Sequence, residues 1–164
     1  MGKRTALLGV LTALALILSY VESLIPIPLP IPGIKLGLAN IVSIAALYRL
    51  GVKEGFAISF IRILLSGLLF GNLFSIVYSL SGGVLSYLTA FLLYRTQQFS
   101  VAGVSMGAAV AHNLGQLIVA SLVLENAGVF YYGPPLMVAG LVTGLVTGLI
   151  LMEVLKRLRK EEAL

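Results

Sequence analysis

The sequence predicts an all-α integral membrane protein: a bundle of six transmembrane helices forming a single domain over residues 1–164. Three observations lead there. Of the 164 residues 59 % are hydrophobic and 10 % charged, whereas a soluble domain of this size carries about a quarter charged residues. The mean hydropathy is +1.07, and too little polar surface remains to solvate a globule. The apolar residues also lie in continuous runs, not in the alternation of an outer-membrane barrel.

About 20 apolar residues at 1.5 Å each cross a ~30 Å hydrocarbon layer, and the chain offers six such candidates. The first runs from about Thr5 to Ser23. Its apolar stretch outruns a secretory signal core, and Glu22 with a proline-rich segment follows where a small-residue cleavage site would stand, so it is expected to be retained as a span. The second, about Leu36 to Arg49, is short and begins with Gly and Asn. The third covers about Gly55 to Phe70, the fourth Leu73 to Tyr94, the fifth Val101 to Leu124 and the sixth Pro135 to Leu155. Little is left for a soluble appendage.

Basic residues orient these spans. With the N-terminus inside, the cytoplasmic segments hold Lys3, Arg4, Arg49, Lys53, Arg95, Lys156, Arg157, Arg159 and Lys160, nine of the eleven Lys and Arg. That asymmetry is what the positive-inside rule requires, and an odd number of spans would spoil it. The net charge of +5 therefore reads as membrane orientation and lipid-headgroup anchoring, not nucleic-acid binding.

Pro26, Pro28, Pro30 and Pro32 alternate with Ile and Leu between the first two spans. This spacing forbids a helix and favours an extended segment, expected on the outer face as a lid or a stiff connector. The other outer loop carries Tyr131 and Tyr132, which suit an interfacial position. Small residues recur every fourth position at Thr5, Gly9 and Ala13, at Gly103, Gly107, Ala111 and Gly115, and at Gly140, Gly144 and Gly148. Such stripes bring helices close together in lipid, within one chain or between partners.

Ionisable groups in a membrane normally face the bundle interior, because each costs ~2.5–3.5 kcal/mol on insertion scales. Glu22, Lys35, Arg62 and His112 are the candidates here. Asn40, Ser59, Ser66, Ser75, Tyr78, Ser79, Asn113 and Gln116 accompany them, with Gln116 one turn from His112 on the same face. Every span except the last contributes, which points to a polar cavity. Lys35 has a second reading as a residue snorkelling to the interface, His112 as a structural histidine, and Glu22 as a partner that neutralises Lys35 or gates with it. Arg62 is the hardest to explain structurally. It lies mid-span, its guanidinium keeps its charge, and no interior acid stands near it in sequence. An anionic ligand with a phosphate or carboxylate would answer it, and Phe74, Tyr78 and Tyr87 are aromatics able to stack on a planar ring.

Several chemistries are excluded by composition. With no Cys there is no disulfide scaffold, thiol nucleophile or Cys-based metal site. With no Asp, the Mg²⁺-holding clusters of diphosphate chemistry are missing, and one His cannot build a zinc site. There is no Gly-x-x-x-x-Gly-Lys phosphate loop, so ATP-driven action needs a partner ATPase. The chain is expected not to be an enzyme.

The segments Gly33-Ile-Lys-Leu-Gly-Leu-Ala-Asn40, Arg62-Ile-Leu-Leu-Ser-Gly67, Ser79-Leu-Ser-Gly-Gly83 and Gly107-Ala-Ala-Val-Ala-His-Asn-Leu-Gly-Gln116 resemble the Gx transporter family, labelled heptaprenyl diphosphate synthase component I. The resemblance covers nearly the whole chain. It implies kinship with the substrate-binding S components of energy-coupling-factor vitamin transporters: six helices, a first-loop lid, and a first-helix stripe, here Thr5, Gly9 and Ala13, that docks a coupling subunit. It further implies a multi-pass protein of a bacterial or archaeal cytoplasmic membrane with both termini inside. Association with Rnf-type redox operons and extracytosolic flavinylation implies a flavin, FMN or FAD, as cargo. On that reading Arg62 and Lys35 meet the phosphate, and Asn40, Ser79, His112, Asn113 and Gln116 bond polar edges. Tyr78 stacks on the ring, and Glu22 completes the site. A homodimer and a coupling subunit with an ATPase module are both open as partners. Two alternatives remain: an S component for another vitamin-like substrate, and a non-catalytic membrane subunit assisting heptaprenyl diphosphate or quinone synthesis.

Overall fold

The computed structural model describes residues 2–25 and 37–161. They form α1 (Gly2–Leu24), α2 (Leu38–Arg49), α3 (Val52–Phe70), α4 (Leu73–Thr96), α5 (Val101–Val123) and α6 (Gly133–Glu161). Each span expected from the sequence corresponds to one helix. The connection from α5 to α6 is not a plain loop: Ala127–Tyr132 forms a 3-10 helix, with Pro134 and Pro135 in the first turn of α6, where missing amide donors do no harm. The proline-rich segment and Lys35 lie outside the described residues.

By length and composition α1, α4, α5 and the unit from Ala127 to Leu158 are each apolar and long enough to cross a membrane. The 12-residue α2 reaches only about 18 Å at the helical rise, and α3 carries Lys53, Glu54 and Arg62 within its 19 residues. These two are completed by the bundle around them. Leu68 is 72 % exposed, Leu73 77 % and Leu122 71 %, while Arg62, Ser105 and Gln116 are buried. Large apolar groups facing out over a partly polar interior are what a bilayer solvent demands.

Local chemistry sets the helix ends. Asn72 and Ser75 form a reciprocal capping box that starts α4: the Ser75 amide donates to Asn72 Oδ1 at 2.8 Å, and the Asn72 amide donates to Ser75 Oγ at 2.9 Å. Ser100 caps α5 by accepting from the Gly103 amide at 3.1 Å. Only Leu50 and Gly51 join α2 to α3, and Gly51 adopts φ +119°, a conformation that a side chain would strain.

The helices close a ring in the order α1, α2, α6, α5, α4, α3, with α2 also lying along α3. Two glycine stripes build it. On α6, a Cβ at Gly144 would stand 2.6 Å from Met106 Cα, and one at Gly148 2.6 Å from Ala102 Cα. On α5, a Cβ at Gly115 would stand 2.6 Å from the Ser81 carbonyl oxygen of α4. Both stripes therefore hold the monomer together through backbone contact. The α1 stripe differs: Thr5, Gly9 and Ala13 are exposed, and a Cβ at Gly9 would meet nothing within 4 Å.

Two apolar clusters fill the end of the bundle that carries the termini. Ile44, Leu47, Tyr87, Ala90, Val104, Ala108 and Leu151 form one; Ala15, Val42, Ala46 and Ile58 form the other. The opposite half of the ring is not filled in this way.

Candidate functional site

In that opposite half lies a cavity of about 160 Å³, lined from all six helices. Its inner end rests on Ile44 and Ala108, which also belong to the first apolar cluster. Its outer part is bounded by Glu22, Ser23, Gly37, Phe70 and Gly71, residues at or near the outer ends of α1, α2 and α3. The cavity therefore opens away from the termini.

Arg62 projects into this space from the middle of α3 and is 9 % exposed. Its Nη2 donates to Asn40 Oδ1 at 2.9 Å, and its Nη1 donates to Ser19 Oγ at 3.2 Å. These two bonds fix the plane of the guanidinium and leave its buried Nε without a hydrogen-bond acceptor. Among the described residues the ion pairs are Arg4 with Glu54 and Arg157 with Glu153, so no described carboxylate is within ion-pair distance of Arg62. Glu22 shares the cavity and is near enough to attract Arg62 electrostatically. Its Oε1 is bonded by the Gly37 amide at 2.5 Å. Gly37 has φ +76°, the left-handed conformation glycine tolerates, and it turns the chain into α2 so that Asn40 arrives beside Arg62.

Of the residues singled out from sequence, Glu22, Asn40, Arg62, Ser66, Ser75, Ser79, His112 and Asn113 line the cavity, and Ser59 does not. Asn113 also donates through Nδ2 to the Leu136 carbonyl at 2.7 Å, tying α5 to the start of α6. Gln116 does not line it. Gln116 and His112 share a helix face, and α4 packs over both: a Cβ at Gly82 would stand 2.9 Å from Gln116 Cγ and 2.9 Å from His112 Cε1. Under that packing Gln116 is 2 % exposed, while His112 still reaches the cavity. Tyr78 is not a lining residue either; its ring stacks on Phe74 at 5.5 Å. Tyr87 belongs to the apolar cluster and donates to the Val52 carbonyl at 2.7 Å. Among the described residues the aromatic side chain at the cavity is Phe70, held edge-on by Tyr20 at 5.4 Å.

The last helix was expected to contribute nothing polar, and this is corrected: Thr143 and Thr147 of α6 line the cavity, opposite Ser105 of α5. In sequence they stand inside the tandem Leu-Val-Thr-Gly, which reads as a packing repeat. The Gly of each unit does pack on α5, and the preceding Thr is thereby turned inward.

The family model described as Heptaprenyl diphosphate synthase component I matches residues 11–154. No curated protein matches the chain. Among solved structures the fold is similar to that of the S component of a bacterial ECF transporter, with a TM-score of 0.63 at 19 % identity, covering 99 % of this chain and 96 % of that one. The shared feature is the six-helix architecture over the full length of both chains. With the family model spanning most of its residues, the chain belongs to the heptaprenyl diphosphate synthase component I family, the Gx transporter family that its motifs resemble.

Proposed function

We propose that this protein is a membrane transporter of the S-component kind that binds a small anionic, aromatic cofactor, foremost a flavin such as FMN or FAD for extracytosolic flavoproteins. The observation that carries the reading is Arg62: a permanent cation at bilayer depth, oriented by Asn40 and Ser19, beside a cavity and with no described carboxylate in ion-pair contact. A buried charge left in that state is tolerated where an anion completes it. Arg62 takes the phosphate. Asn40, Ser79, His112 and Asn113 bond polar edges, and Phe70 takes the stacking role for which Tyr78 is badly placed. Lys35 stays a candidate second cation from outside the described residues.

Orientation follows from charge. Arg4, Arg49, Lys53, Arg95, Lys156 and Arg157 all stand at the end that carries the termini, so this end is cytoplasmic by the positive-inside rule and the cavity opens to the other side. The exposed Thr5, Gly9 and Ala13 of α1 suit a coupling subunit, since the other small-residue stripes are already used within the chain. The reading as a non-enzyme rests on the missing Asp.

A second reading is favoured by size. A cavity of about 160 Å³ is close to one that seats a single benzene ring, so a tricyclic flavin needs the outer helix ends to part. A smaller vitamin-like anion needs no such movement. Titration of the detergent-purified protein with FMN, followed by flavin fluorescence and by flux into proteoliposomes, tests both. Saturable binding of one FMN per chain is expected. If FMN neither binds nor crosses, the flavin assignment fails. Co-purification with a soluble, Asp-rich prenyl synthase in the absence of any transport would overturn the transporter reading altogether.

A further inference from the structure

The inner end of the cavity carries a hydrogen-bonding pattern opposite to that of Arg62. Ser105, Thr143 and Thr147 converge there across the α5–α6 contact: all three line the cavity, and a Cβ at Gly148, next to Thr147, would stand 3.0 Å from Ser105 Cβ. The depth follows from position. Arg62 is ten residues beyond Val52 and Ser105 four beyond Val101, and both helices start at the end that carries the termini. At the helical rise Ser105 lies about 9 Å deeper than Arg62.

The two threonines have spent their protons. Thr143 Oγ1 donates to the Ala139 carbonyl at 2.9 Å and Thr147 Oγ1 to the Thr143 carbonyl at 2.9 Å, each within its own helix. Only acceptor lone pairs remain for anything in the cavity. Ser105 is 3 % exposed, and its Oγ has no hydrogen-bond partner. A buried hydroxyl in that condition is costly unless something in the cavity completes it. The inner end thus offers three oxygen acceptors and one donor, and no described charged group lines it.

We infer that Ser105, Thr143 and Thr147 are specificity-determining residues that read an uncharged hydrogen-bond donor, an N–H or O–H, on the end of the ligand remote from its anionic group. The inference rests on the transporter reading of the same cavity and adds a direction to it: the anion sits toward the mouth at Arg62, and the donor-bearing end goes in first. An anion directed inward would find one hydroxyl donor, Ser105, against three acceptor oxygens and no described cation, and is disfavoured.

The test uses matched pairs in which only the donor is blocked: FMN with 3-methyl-FMN, and orotate with its N1,N3-dimethyl derivative. Affinity is read from ligand-induced thermal stabilisation of the purified protein. For whichever anion binds, the methylated partner is expected to bind about tenfold or more weakly. Ser105→Ala and Thr147→Val should erase that difference by weakening the unblocked partner, whereas Arg62→Met should weaken both members alike. Equal binding of blocked and unblocked partners overturns the inference while leaving the transporter reading in place. Silence from FMN with discrimination within the orotate pair removes the flavin assignment and keeps the inference. If no member of either pair stabilises the protein, both fall.

Discussion

Replacing Arg62 with methionine separates a binding arginine from a structural one, because the two roles predict different outcomes. Methionine fills a similar volume without the charge. The variant loses the bonds from Nη2 to Asn40 at 2.9 Å and from Nη1 to Ser19 at 3.2 Å, about 1.5 kcal/mol each at the lower end for bonds to a charged group, since both partners are neutral. It also removes a cation whose placement at bilayer depth costs ~2.5–3.5 kcal/mol on insertion scales. The two nearly cancel, so the variant should stay within about 1 kcal/mol of the parent in stability. Binding, by contrast, falls. Losing a charge-assisted contact to the anion removes ~1.5–3 kcal/mol, which is about a 10- to 150-fold rise in Kd. Thermal unfolding without ligand and fluorescence titration with FMN read the two quantities on one preparation. A variant that melts well below the parent, or one that binds FMN as the parent does, would make Arg62 a structural residue.

Other expectations follow from the same geometry. Gly144→Leu forces a side chain into Met106 and Ser105, where even a Cβ stands 2.6 Å from backbone; a loss of about 2–4 kcal/mol is expected, seen as a lowered melting temperature or aggregation in detergent. Gly9→Leu meets nothing within 4 Å, so it should keep the melting temperature and FMN affinity while losing co-purification with a coupling subunit; unchanged co-purification would point to a lipid-facing helix. Glu22→Gln removes the carboxylate that attracts Arg62 from across the cavity, so anion affinity should rise, by about tenfold or less, and a fall would show that Glu22 holds the site through Gly37 instead. Asn40→Leu deprives Nη2 of its acceptor and leaves a buried charged donor unsatisfied, so a weaker Kd in the same titration and a melting temperature lowered by a loss of about 1–3 kcal/mol are expected.

The fold was largely legible because spanning helices announce themselves by length and composition. Even the short α2 was visible, since its Gly and Asn mark where the helix begins and its Arg49 where it ends. The site was legible where a residue is out of place in lipid: Arg62, Glu22 and His112 are ionisable and apolar neighbours expose them. It was less legible where the side chain is neutral. Thr143 and Thr147 are tolerated in a transmembrane helix by bonding their own backbone, Ser105 is small and neutral, and only the packing of Gly144 and Gly148 on α5 turns the threonines inward. Helical arithmetic also failed at Gln116 for a tertiary reason. α4 packs at Gly82 over both His112 and Gln116, yet His112 lines the cavity and Gln116 does not, a difference that helical spacing does not encode. Tyr78 and Tyr87 illustrate the remaining gap, as an aromatic in a span is equally suited to lipid, core or ligand.

The central claim is that the guanidinium of Arg62 awaits a negatively charged guest. Native mass spectrometry of the protein extracted from its own membrane in mild detergent addresses it directly. The account predicts one small anionic molecule retained per chain and absent from the Arg62→Met variant prepared alongside. A bare chain mass for both, or the same adduct on both, would contradict it.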